Sequence, residues 1–136
     1  MKTVPALVLV LLASAAGAAE QKADLKAIGQ GRALFRQYCS SCHGVDGKGG
    51  GPSAAALKTP PADLTTLTKG GKFDDAAVRT WIDGTHAASA HGERDMPVWG
   101  RVFAKAGERA SEAGAQTDIW MLVSYIESIQ APAASK

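Results

Sequence analysis

The residues best placed to do chemistry are Cys39-Ser40-Ser41-Cys42-His43. On a helix, positions i and i+3 share a face, so two thiols spaced this way can reach the two vinyl groups of one haem. The histidine that follows can turn its imidazole onto the iron as the proximal axial ligand. This spacing is that of a c-type haem attachment site, with one covalent haem c as the cofactor. Three other uses of a cysteine pair compete. A thioredoxin-like redox pair needs a surrounding βαβ pattern, and none is visible. A tetrahedral zinc site needs a fourth ligand at metal-like spacing, and the chain has no third cysteine. A disulfide across two residues closes a tiny, strained loop.

A chain of 136 residues makes one small domain. It is 46% hydrophobic, enough for a core, although much of that is alanine. Both cysteines sit in the motif, so a covalent cofactor, not a disulfide scaffold, is the expected staple. The start reads as a secretory signal peptide: Lys2, an apolar run from Val4 to Ala13, then Ala15-Ala16-Gly17-Ala18-Ala19 before Glu20. Cleavage of residues 1–19 would leave a mature domain of 20–136, with a folded core over about 27–130. An uncleaved membrane anchor is the alternative, but the uncharged run from Thr3 to Ala19 is short and alanine-rich for a span. The expectation is export to the periplasm and no stable membrane insertion afterwards. Attaching haem to cysteines fits that compartment, outside the reducing cytosol. Without Lys2 the balance is 14 Lys and Arg against 13 Asp and Glu, a net of +1. So weak a field gives nucleic acid no support as a partner.

The motif needs elements to position it. From Asp24, a candidate cap, Leu25, Ile28, Phe35, Tyr38 and Cys42 form an apolar helical stripe that ends in the motif. Gly29 and Gly31 each cost about 1 kcal/mol inside such a helix, which implies a later start or a close backbone crossing. A loop rich in Gly and Pro then runs from Gly44 to Gly71, long enough to imply a wrapping role. Within it, a carbonyl of Pro60-Pro61-Ala62-Asp63-Leu64 could accept the other ring N–H of His43. A short helix follows, capped by Asp74 or Asp75 and stopped by Gly84, with Val78, Trp81 and Ile82 inward. Met96 precedes Pro97, which sets it on extended backbone, an unusual presentation for a methionine. The stretch from Arg101 to Gln116 reads as weakly helical at best. Thr117 is then the expected cap of a closing helix carrying Ile119, Leu122, Val123, Ile126 and Ile129, with Trp120 and Tyr125 beside them. The tail from Ala131 is expected to fray.

A leading helix ending in Cys-x-x-Cys-His, a Gly/Pro loop, a distant Met-Pro and an aromatic closing helix resemble the class I c-type cytochromes. The likeness runs from about Ala27 to Ile129, and His91-Gly92-Glu93-Arg94-Asp95-Met96-Pro97-Val98-Trp99-Gly100 looks like the bacterial monohaem members in particular. The resemblance implies an all-α fold of three to five helices, with long loops wrapped around one covalent haem. It also implies thioethers at Cys39 and Cys42, His43 as proximal ligand and Met96 as distal ligand. Pro61, or else Pro60, would supply the carbonyl that steadies His43. Gly31 and Phe35 would cross the closing helix near Tyr125. Trp81 and Trp99 are candidate haem-pocket contacts. The function implied is electron transfer between a donor and an acceptor redox protein, with no enzymatic step. The family's lysine ring around the haem edge is not evident in so neutral a chain.

The axial pair fits a carrier. A thioether is a soft, neutral ligand that favours ferrous iron and raises the potential relative to a second histidine. Distal alternatives are His86 and His91, both in the turn-rich segment before Met96. A dihaem peroxidase would need a second Cys-x-x-Cys-His, and there is none. Gas-binding bundles usually carry the motif near the C-terminus, whereas a labile distal ligand would still open the iron. A haem subunit docked permanently on a dehydrogenase or oxidase would need the same site.

Overall fold

The computed structural model describes residues 24–85, 96–106 and 109–132. The signal-peptide assignment, His86, His91 and the last four residues lie outside them. The described chain is all-α, as expected. Helix α1 spans 24–38, α2 Ser40–His43, α3 Asp75–Asp83, α4 Trp99–Ala106 and α5 Glu112–Ser128. A 3-10 turn at Ala54–Ala56 and an isolated bridge between Lys69 and Lys72 are the regular pieces of the long loop. Among the described residues no helix is long and apolar enough to cross a membrane.

Helix α5 is the axle. It packs on α3 and α4, which also touch each other, and it crosses α1 at Gly31. A Cβ at Gly31 would overlap the carbonyl of Met121 and come within 3.0 Å of the Tyr125 Cβ. The glycine that propensity disfavours is therefore the point where two backbones meet. One turn on, Phe35 meets Tyr125 with ring centroids 5.2 Å apart. Phe35, Phe103, Ile119 and Leu122 are fully buried, each contributing roughly 1.5–3 kcal/mol of transfer free energy. Met121 is also core.

Several sequence expectations need correction. Leu25 is 65% exposed, because α1 buries Ala27, Gly31 and Phe35, an i, i+4 seam narrow enough for α5 to approach closely. Asp24 is already helical, and α1 continues through both glycines. Trp81 is 51% exposed; Ile82 takes the inner face of α3, with Val78 half-buried beside it. The segment after Pro97 forms α4, whose Trp99, Val102 and Phe103 follow helical spacing. Helix α5 starts before Thr117: Ser111 caps it, accepting from the Gly114 amide at 3.0 Å, and Thr117 sits mid-helix. Gly114 has no room for a side chain beneath the Arg109 carbonyl, so the chain turns tightly into α5 there. The buried Asp118 receives the Arg109 guanidinium at 2.6 Å and pins that turn.

Other signals read locally were sufficient. Asp74 caps α3, accepting from the Ala77 amide at 3.0 Å. Gly84 stops it in the left-handed region at φ 87.

Candidate haem-attachment site

The end of α1 carries the motif through a slight break. Cys39 leaves helical ladder geometry, yet its amide still bonds the Phe35 carbonyl at 2.9 Å, and the His43 amide bonds the Cys39 carbonyl at 2.9 Å. The Ser40 hydroxyl takes the Arg36 carbonyl at 2.7 Å. Both cysteines are free thiols, partly exposed. Burial, with a smaller push from Cys42, raises the Cys39 thiol to about 12. It is therefore protonated at neutral pH. No group of three or more His, Cys, Asp or Glu with metal-holding geometry occurs among the described residues.

The glycine loop folds straight back over α2 and occupies its last carbonyls. The amides of Gly49, Gly51 and Ser53 bond the carbonyls of His43, Cys42 and Ser41 at 2.7, 3.0 and 2.8 Å. A Cβ at Gly51 would strike the Ser41 and Cys42 backbone, so only glycine permits that approach. The loop is a tight wrapping on the motif, not a linker.

His43 Nδ1 lies 3.0 Å from the Ala62 carbonyl. A carbonyl can only accept, so Nδ1 carries the proton, which leaves Nε2 as the ring nitrogen free to bind a metal. The partner is one residue beyond the expected Pro61. Successive carbonyls of an extended segment point to opposite sides, and that of Pro61 is turned against Gly49, where a Cβ would overlap it. The Asp63 carboxylate then accepts from the amide and hydroxyl of Thr65, at 2.8 and 2.6 Å. Those bonds hold its acidity stronger than that of an ordinary aspartate. The Leu64 amide bonds the Gly47 carbonyl at 2.7 Å, closing one loop onto the other.

Met96 is half-buried. It packs on the same core cluster as Cys39, together with Leu64, Leu67, Phe73 and Trp99. Tyr38, next to Cys39, meets Trp99 edge-on at 5.6 Å, so the end of α1 and the start of α4 are joined beside the motif. The approach of α4 is set by α3. Gly84 lies against Val98, and Gly100 leaves space for the Asp83 carboxylate at the first turn of α4. Trp99 therefore belongs to the half-buried apolar rim near the motif, whereas Trp81 is not among the side chains packed on this core. Free thiols, a tautomer-locked imidazole and half-exposed apolar side chains together fit a haem: the donors suit iron and vinyl groups, and the rim is apolar surface that such a ring would cover. Gln130, which sequence reasoning passed over, fastens the loop that carries Ala62, and no local pattern signals it.

Residues 26–126 match the family described as cytochrome C oxidase, cbb3-type, subunit III. No curated protein and no solved structure matches the chain. The matched span covers well over half of the chain and takes in α2, the wrapping loop and Met96, and the chain accordingly belongs to this family of c-type cytochromes, haem c-binding domains of electron transfer.

Proposed function

We propose that the chain carries one electron at a time on a single haem c, joined through Cys39 and Cys42, with His43 and Met96 as axial ligands. The observation that carries this reading is the 3.0 Å bond from His43 Nδ1 to the Ala62 carbonyl. It fixes the tautomer that leaves Nε2 for iron, beside two free thiols. When bound, haem c supplies a one-electron iron couple. Cys39 and Cys42 anchor it from one helical turn, and the Ala62 carbonyl makes His43 the more basic ligand. Met96 offers a soft thioether from the rigid approach to α4. With both axial positions taken, no site is open to substrate, which suits a carrier and not an enzyme. Trp99, on the apolar rim, is the best supported pocket contact; Pro61 and Trp81 are the others proposed. The carrier works in the periplasm after loss of residues 1–19, between a donor and an acceptor protein.

The family description names an oxidase subunit. That favours a second reading, in which the chain is a haem subunit docked on an oxidase. Hydrodynamic size of the native material separates the two: a mass somewhat below the 14.0 kDa of the full 136 residues, with 1–19 removed, supports the shuttle, and co-migration with a large complex supports the subunit.

The visible spectrum of periplasmically expressed protein, oxidised, reduced and with carbon monoxide, tests the ligand set. A low-spin c-type spectrum with a far-red methionine–iron band and no carbon monoxide response is expected. A high-spin or carbon monoxide-sensitive spectrum would overturn the axial pair and favour a labile distal site.

A further inference from the structure

Gln130 lies two residues past the end of α5 and outside the family-matched span. Its side chain is more heavily bonded than that of any surface glutamine needs to be. Oε1 accepts from the amides of Leu67 and Thr68 at 2.8 and 3.0 Å, and from the Thr68 hydroxyl at 3.2 Å. Nε2 donates to the carbonyls of Leu64 and Ile126 at 2.6 and 2.9 Å. Both amide protons and the carbonyl oxygen are thus fully used. The next amide, of Ala131, donates to the Thr65 carbonyl at 2.8 Å, so the first residue of the tail is tied down where fraying was expected.

We propose that Gln130 is a positioning residue for His43. The segment it grips, 64–68, begins two residues after Ala62, whose carbonyl holds His43 Nδ1. Between grip and carbonyl the chain is stiff, because Asp63 binds both the amide and the hydroxyl of Thr65. The same side chain holds Ile126 in the last turn of α5, one residue from Tyr125, which packs on Phe35 of α1. Gln130 therefore closes a ring that runs from α1 through His43, Ala62 and the 64–68 segment to α5 and back to α1. Its removal takes away five of the bonds on the segment after Ala62 and α5 and leaves that segment held to its surroundings by the Leu64–Gly47 and Ala131–Thr65 backbone bonds. The His43 hydrogen bond then lengthens and fluctuates, and the imidazole becomes a less basic ligand. A less basic ligand stabilises ferric iron less, so the midpoint potential rises.

The inference rests on His43 being an axial ligand. The experiment uses haem-loaded wild type, Gln130→Ala and Gln130→Glu, with Thr117→Gly as a destabilised control remote from the loop. Amide exchange at Leu67 and Thr68, exchange of the His43 Nδ1 proton and the midpoint potential are measured on each. In Gln130→Ala, both amides and the Nδ1 proton are expected to exchange at least tenfold faster, with a raised potential. Gln130→Glu keeps the acceptor but loses both donors, so its amides are expected to stay protected while the Nδ1 proton exchanges at a rate between those of wild type and Gln130→Ala. Thr117→Gly is expected to change neither the potential nor the Nδ1 exchange. A folded Gln130→Ala protein with wild-type potential and Nδ1 exchange would overturn the proposal and reduce Gln130 to a helix cap. So would equal changes in Thr117→Gly. An error in the ligand assignment shows in the wild-type spectrum, whereas an error in the clamp shows only in the variants.

Discussion

The two glycines of α1 should respond in opposite directions to the same substitution. At Gly31, a Cβ would overlap the Met121 carbonyl oxygen and lie 2.6 Å from its carbonyl carbon, with Tyr125 Cβ at 3.0 Å. The obstructing atoms are α5 backbone, so no side chain can rotate away and the helices must separate. Overpacking of this kind costs about 3 kcal/mol, the upper end of its usual range. Alanine regains about 1 kcal/mol of helix propensity over glycine. Gly31→Ala should therefore lose about 2 kcal/mol net, or roughly 8 °C in Tm for a domain of this size. At Gly29 nothing lies within 4 Å of the added methyl, so Gly29→Ala keeps the propensity gain and should raise Tm by roughly 4 °C. Thermal unfolding of the haem-loaded proteins, followed by circular dichroism, measures both. A Gly31→Ala protein at or above wild-type stability would refute the close-crossing account of α1 and α5.

Met96→Ala should keep its haem, lower the potential and open the iron to carbon monoxide; an unchanged potential in a six-coordinate variant would exclude Met96 as ligand. Gly84→Ala places a side chain at φ 87 and 2.6 Å from the Val98 Cγ1, costing about 1–2 kcal/mol for the left-handed backbone alone. Because Val98 follows Met96 by two residues, the far-red methionine band should weaken with it. Arg109→Ala leaves the Asp118 carboxylate buried, 2% exposed, without its 2.6 Å partner; the expected loss is about 2 kcal/mol, below the 3–5 of fully buried pairs because Arg109 itself is 39% exposed, and denaturant unfolding reads it. In the haem-free protein, the raised Cys39 thiol makes folding favour the protonated form. The stability this lends is complete below the ordinary thiol value of 9.0 and is lost as pH climbs toward about 12. Alkylation of Cys39 at pH 8 should accordingly be far slower than that of an unhindered thiol.

That the chain is a haem-binding cytochrome was legible because the motif is local. Cys39, Cys42 and His43 lie within one turn, and their spacing alone puts both thiols within reach of one ring. Asp74 and Gly84 were legible for the same reason, since a cap and a left-handed stop act on neighbouring amides and carbonyls. Pattern left Gly29 and Gly31 between a later helix start and a close backbone crossing, and it was the resemblance to class I cytochromes that implied a crossing at Gly31. Helix α4 and the early start of α5 were harder. Their turns between Arg101 and Gln116 are held by Phe103 in the core and by Arg109 on Asp118, contacts that outweigh weak local propensity.

Tertiary structure alone decided three matters at the site. It chose Ala62 over Pro61 for His43, because the alternation of an extended segment is set by where Gly49 approaches it. It turned Trp81 outward and Ile82 inward, since only the seat of α3 on α5 says which side of that turn is covered. It also brought Gln130 back onto Leu64, Leu67 and Thr68, more than sixty residues away in the chain. A sequence determines which groups can bond and how helices are spaced and stopped. Which distant backbone atom meets a given side chain depends on chain reversals that no short pattern encodes.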